Sequence, residues 1–233
     1  IMTVAAPVWY VDNSATAPGD GRDVAPFTEL KFAEVASGTG QQIFVLEGNG
    51  TTSGYDEGIV LKNGQLLTGQ GVPADITTMV NGSSLTLLSA NGAPEITRNT
   101  AGATIMLAQD NTMRGLDITS TSGAGITGGG VGAFNASSTQ VSAVGGSALA
   151  LANGSVNATF SQLSSTASAS DGILLSMISG TLTAPGGSIA ASTGSGLLIN
   201  GGNANVTYGG SITGAGHRPV WIIGRSGGDV TVA

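Results

Sequence analysis

From Ser122 to the end, the chain repeats one pattern of apolar and polar positions. Each unit opens with a short alternating run: Ile126, then Leu149 and Leu151, Ile173 and Leu175, Leu197 and Ile199, Val220 and Ile222. A Gly/Asn/Ser turn follows, and then a second run marked by Val156 and Ala158, Leu182, Val206 and Val230. A third short segment closes most units, as in "SQLSS", "GSIAAS" and "GSITG". Strict alternation reads as half-buried strand, and Gly/Asn clusters read as turns. The units begin at Ser122, Gly145, Ser170, Gly194 and His217, a near-constant period of the kind that marks a solenoid. Three strands in such a unit describe one coil of a parallel β-helix, in which each strand pairs with its equivalent one coil along. A β-sandwich is the competing architecture, but its turns recur every 8–12 residues.

Placed in this register, "GSGLLINGGNANVTYGGSITGAG" (residues 194–216) is a coil and not a linker. Its Leu197, Ile199 and Val206 each fall one full period after Ile173, Leu175 and Leu182. The earlier segments "QQIFVLEGNG", "GIVLKNGQLLTGQG", "SSLTLLSANGAPEITR" and "ATIMLAQDNTMRGLDITST" read as the first coils, with longer turns between them. "GVPADITTMVNG" (71–82) reads as an external loop. Residues 26–37, "PFTELKFAEVAS", give the one convincing helix. Pro26 stands where a first helical residue tolerates it, and Phe27, Leu30, Ala33 and Val35 form an imperfect stripe. It is expected to cap the N-terminal end, since an open sheet edge invites aggregation. The domain reading is residues 1–40 as an N-terminal strand, Gly/Asp loop and cap helix, and 41–233 as one continuous stack of coils.

Composition agrees with a packed chain. Hydrophobic residues make up 40% of the 233, charged residues only 9%, and mean hydropathy is positive at +0.26. Disordered segments are polar and charge-rich, so this chain has a core to bury. With aromatics at 4%, that core must be aliphatic. The 39 glycines follow no three-residue period, which excludes collagen. Seven basic against fourteen acidic residues, with no basic cluster, argue against nucleic acid and anionic membranes as partners. The absence of cysteine excludes disulfides and thiolate chemistry. No apolar run is long enough to span a membrane. The opening "IMTVAAPVWYV" reads as a cut from a longer precursor. The ending "DVTVA", inside a predicted strand, reads as a stack that continues in a parent chain or packs on a partner.

The segment "WYVDNSATAPGDGRDVAPFTELKFAEVASGTGQQIFVLEGNG" resembles the opening of right-handed parallel β-helix proteins of the pectin-lyase-like superfamily. Val11, Asp12, Gly19, Asp20, Gly21, Pro26, Phe27, Ile43, Val45 and Gly48 fit that layout, and "NTMRGLDI" (111–118) is similar to one of its coils. The Gly/Ala/Ser-rich coils after 122 resemble passenger repeats of bacterial autotransporters and large adhesins. The resemblance implies a right-handed solenoid, an all-β parallel β-helix with three short strands in each coil. It also implies a secreted or cell-surface bacterial setting, with a polysaccharide or host surface as partner.

Candidate chemistry is sparse. The N-x-D, D-D, G-H-G and R-I-K motifs of polygalacturonase-like members are absent, and "GHR" leaves His217 as a surface turn residue. Lyase chemistry needs acidic Ca²⁺ ligands and a nearby basic side chain. The nearest constellation is Asp110, Arg114 and Asp117, flanked by Glu95 and Arg98 one coil earlier, and its ordinary reading is a solvated turn. Asp12, Asp20 and Asp23 are the candidates for a cation, Ca²⁺, although aspartate also makes turns. No other cofactor is expected. Asp20–Asp23 and Asp56–Glu57 are the only close carboxylate pairs of the kind glycoside hydrolysis uses. Trp9, Tyr10, Tyr55, Tyr208 and Trp221 are too scattered to form a sugar platform, and Thr-x-Thr occurs singly at 119–121 and 181–183. The expectation is a structural or adhesive module that binds carbohydrate; the alternative is a polysaccharide lyase or glycoside hydrolase acting on an acidic polysaccharide.

Overall fold

The computed structural model describes residues 7–77 and 84–233. It is a parallel β-solenoid of about seven turns with coils of about 24 residues. The coils stack into three ladders. Ladder A holds Ile59–Val60, Ile105–Met106, Leu197–Asn200 and Val220–Ile223, with the first parts of the long strands Ile126–Gly145, Leu149–Thr166 and Ile173–Ala184. Ladder B begins at Val8–Val11 and runs through Gln42–Val45, Leu66–Gly69 and Thr112–Arg114 to Asn205–Tyr208 and Val230–Val232. Ladder C joins Glu95–Ile96 and Asp117–Gly123 to Ser188–Ala190 and Ser211–Thr213. Every pairing between named strands in these ladders is parallel.

The register places like on like. Ile126, Leu149, Ile173, Leu197 and Val220 form one column of ladder A. Leu182, Val206 and Val230 form one of ladder B. Apart from the last coil, these inward side chains are almost wholly buried. Each such Leu or Ile contributes about 1.5–3 kcal/mol of burial, and none could bury without the coil above and below. The corners repeat as well. Gly130, Asn153, Met177, Gly201 and Gly224, one per coil after ladder A, all have φ between 53° and 77°. Gly145, Ala167, Ala191 and Gly214 do the same after ladder C, with φ between 53° and 80°. A left-handed corner favours Gly and Asn, so the glycine-rich look of the sequence is the look of its corners.

Two expectations are corrected. The helix is Leu30–Ala36, with Glu29 at its N-cap, and does not begin at Pro26. Phe27 bridges Val11: its N–H donates to Tyr10 O (2.9 Å), and its carbonyl accepts from Asp12 N (2.8 Å). Those bonds hold residues 26–28 extended, and Phe27 stacks on Trp9 at 5.8 Å. Val35, expected on the packed stripe, is exposed; Leu30 and Ala33 are buried. Second, Ser84–Leu88 is not a coil strand. It pairs antiparallel with Ala74–Thr77 in a separate two-stranded sheet. This inserted hairpin explains why ladder A jumps from Ile59 directly to Ile105. The remainder of the expected external loop, 78–82, lies outside the described residues.

The helix sits at the N-terminal end of the stack. Ile59–Val60 pairs with one neighbour, Ile105–Met106, and its outer edge is met by Glu34, whose Oε2 accepts from Val60 N at 2.8 Å. Lys62 Nζ donates to Ser37 O, and Gln65 Nε2 donates to Ser37 Oγ at 2.8 Å. The Glu34 bond satisfies an edge N–H that would otherwise be open to strand addition, and the Ser37 bonds tie the end of the helix to the coil below. At the other end, Val220–Ile223 and Val230–Val232 pair only with the coil before them, and Ile222 and Val232 are exposed.

Candidate binding groove

The outward face of ladder B carries two columns of hydrogen-bonding side chains. Thr112, Asn135, Asn157, Thr181 and Asn205 share one register column. Arg114 pairs with Ser137, and Thr159, Thr183, Thr207 and Thr231 pair in sequence one coil apart. Alternation along each strand sets the pair outward while Met113, Ala136, Ala158, Leu182 and Val206 point in. Between coils, the first columns enclose a groove of about 300 Å³ lined by Thr112, Asn135, Ser137, Asn157 and Thr159, with Met113 and Ala136 at its floor. Amides and hydroxyls on a rigid ladder present donors and acceptors at a fixed spacing of about 4.8 Å.

The expected constellation is split by this geometry. Arg114 stands on ladder B between Thr68 and Ser137, with Nε 3.3 Å from Thr68 Oγ1 in the coil before. Asp117 lies beyond the Gly115–Leu116 corner on ladder C, above Glu95 and below Gln140. Asp110 occupies a left-handed corner (φ 60°), and its Oδ1 accepts from Ala133 N at 2.8 Å, tying two coils together. Arg98 belongs to the corner below Thr121, whose N–H donates to its carbonyl at 3.2 Å. Burial pushes the Asp117 carboxyl above its usual range; the nearby Glu95 adds to this, and a hydrogen bond from Gln140 opposes it. A carboxyl with a raised folded pKa favours the fold when protonated, and that contribution is lost as pH rises through the carboxylate range. Asp117→Asn is therefore expected to raise the melting temperature at neutral pH. The gain should vanish in melts below the carboxylate range; a gain that persists there would have another source.

The three N-terminal aspartates make turns. Asp12 Oδ1 accepts from Ser14 N (2.8 Å) and Oγ (2.6 Å). Asp20 is paired with Arg22 (2.6 Å), whose hydrogen bond lowers the Asp20 pKa. Asp23 is exposed beside Tyr10. Among the described residues no group of three or more His, Cys, Asp or Glu side chains converges to hold a metal. Asp56 and Glu57 line a hollow of about 310 Å³ with Lys31, Glu34 and Arg98, a mixed-charge setting. His217 is exposed, its ring 5.9 Å from Trp221. Tyr55 and Tyr208 are buried; the Tyr55 hydroxyl donates to Leu46 O at 3.0 Å and accepts from Asn13 N at 3.1 Å.

The ladder B columns are what sequence reading missed. On ladder B, Thr-x-Thr occurs only at Thr181 and Thr183, because the coils on either side spell Asn157-x-Thr159 and Asn205-x-Thr207. A search for any outward Asn, Ser or Thr pair recurring once per coil would have found them.

Fold and groove together define a parallel β-solenoid with a polar, regularly spaced outer face. Comparison with protein-family models, curated proteins and solved structures finds no match to this chain. No helix among the described residues is long and apolar enough to cross a membrane.

Proposed function

We propose that the chain is a structural, adhesive module of a secreted or cell-surface bacterial protein, and that it binds carbohydrate along ladder B. One observation carries this reading: the groove lined by Thr112, Asn135, Ser137, Asn157 and Thr159 offers paired donors and acceptors on a rigid scaffold, and none of these side chains titrates near neutral pH. Sugar hydroxyls are recognised by such groups, and a linear polymer suits a face that repeats along an axis. The sequence resemblance to pectin-lyase-like openings and to autotransporter and adhesin coils supports the setting and the partner class.

Affinity electrophoresis through gels containing neutral or acidic polysaccharides tests it. The wild type is expected to be retarded by at least one polymer. Asn135→Ala with Asn157→Ala should weaken that retardation roughly thirtyfold, since two hydrogen bonds of about 1 kcal/mol each are removed. Free migration through every polymer, or retardation indifferent to the double substitution, would sink the proposal for this groove.

The enzymatic reading keeps one supporting observation, the register of Arg114 with the groove residue Ser137. It requires unsaturated products to accumulate by absorbance when an acidic polysaccharide is supplied, and to stop accumulating in Arg114→Ala.

A further inference from the structure

A different face points to a second copy of the chain. On ladder A the outward column is Val60, Met106, Thr127, Ala150, Leu174, Leu198 and Trp221, in register over seven coils and free of charge. Val60 and Met106 are 43% and 44% exposed, so none of the described residues covers that end. Bulk is segregated along the column. Leu174, Leu198 and Trp221 stand as a ridge in the later coils. Thr127 and Ala150 form a low stretch in the earlier ones. Beside that stretch runs an apolar hollow of about 360 Å³, bounded by Met106, Thr127 and Ala150 and by the Gly123 and Gly145–Gly146 corner.

We infer that two copies pack ladder A to ladder A, with the stacks antiparallel. A two-fold axis parallel to the strands reverses the stacking direction and keeps each lateral corner against itself. With Ala150 on the axis, Leu174 of one copy faces Thr127 of the other, Leu198 faces Met106 and Trp221 faces Val60, so Leu174 and Leu198 meet the rim of the hollow, and the reverse holds across the axis. Charge agrees with this direction. Glu57 stands three residues before Val60 and Arg218 three before Trp221, so both lie on the same corner at opposite ends. Glu57, with Glu34 and Asp56, makes three carboxylates against the two cations Lys31 and Arg98 there. Arg218 is held at the face over the Trp221 ring, 5.4 Å from its centroid. The antiparallel arrangement sets each Glu57 against the partner's Arg218; the parallel one does not. Six coil steps of about 4.8 Å by a four-residue strand give a contact of about 29 by 13 Å, or about 800 Å² over both copies. That is below the roughly 1,200–2,000 Å² of stable specific interfaces and in the range of weak, transient ones, so the dimer is weak and concentration-dependent.

Sedimentation velocity over a wide concentration range tests it. The wild type is expected to move from monomer mass towards twice that mass as concentration rises, while Leu198→Glu stays monomeric throughout. Glu57→Arg and Arg218→Glu should each weaken association roughly threefold to tenfold at low salt, and their combination should restore it. Thermal melts establish that each variant is folded; Thr127→Glu, in the hollow, replaces Leu198→Glu if that variant is not. A wild type that is monomeric at every concentration overturns the inference, as does a folded ladder A variant that associates like the wild type. A charge exchange no better than its two single substitutions overturns the antiparallel arrangement.

Discussion

Gly187→Ala is expected to destabilise the solenoid by about 2–5 kcal/mol, and Gly214→Ala by no more than about 1 kcal/mol. Gly187 enters ladder C with φ of 127°, and a β-carbon there would lie 1.9 Å from Leu163 O and 2.6 Å from Leu163 C. Those are backbone atoms of the preceding coil, and they cannot withdraw. Leu163 N donates to Gly186 O at 3.1 Å, and Gly187 O accepts from Ser211 N at 3.2 Å, so three coils are locked together at this corner. Relief would require the coils to part, breaking the ladder bonds at this corner. Gly214 has a φ of 62°, but its nearest obstruction is Ala191 N at 3.4 Å. Ala167 and Ala191 already adopt that conformation in the two coils before it. Denaturant midpoints of the two variants, converted with a common slope, measure the difference. Equal losses would mean that φ alone, and not the stacked backbone, sets the penalty.

The same contrast explains what was legible in the sequence. Residues that repeat because the coil repeats were readable: Leu197 under Ile173 and Val206 under Leu182 follow from spacing alone, and the pairings match. Residues placed by one-off contacts were not. Nothing in "PFTEL" announces that Phe27 will share hydrogen bonds with Tyr10 and Asp12 and delay the helix to Leu30. "SSLTLL" alternates like a coil strand, and only its pairing with Ala74–Thr77 removes it from the stack. Asp110, Arg114 and Asp117 lie on a corner, on ladder B and on ladder C for a geometric reason. Arg114 and Asp117 are close along the chain, yet the Gly115–Leu116 corner between them turns them onto different faces. The groove was hidden for the opposite reason. Its residues are remote in sequence, and their identities drift between Asn, Ser and Thr while their chemistry does not.

Phe160→Ala is expected to cost about 3–5 kcal/mol, the range for deleting a large buried aromatic ring. Phe160 is fully buried where ladder B gives way to ladder C, and its register partner in the coil before is Thr139. One coil on, the pairing of Thr159 with Thr183 brings Ala184 over it, and Ala184 in turn pairs with Tyr208. The column therefore runs large, small, large. The small residue leaves room for Tyr208 to reach back across its coil and donate to Leu163 O at 3.1 Å. Removing the Phe160 ring leaves a cavity that Ala184 cannot fill, and that Tyr208 could enter only by giving up its bond. Burial pushes the Tyr208 hydroxyl up to about 12. A phenol with a raised folded pKa contributes stability that is intact below its ordinary value of about 10 and is lost as pH climbs from there towards 12. Having less stability to lose, Phe160→Ala should unfold at a lower alkaline pH than the wild type and at a lower denaturant midpoint at neutral pH. Circular dichroism across an alkaline titration reads the first effect and denaturant melts the second; a variant matching the wild type in both would show that this corner does not hold the coils together.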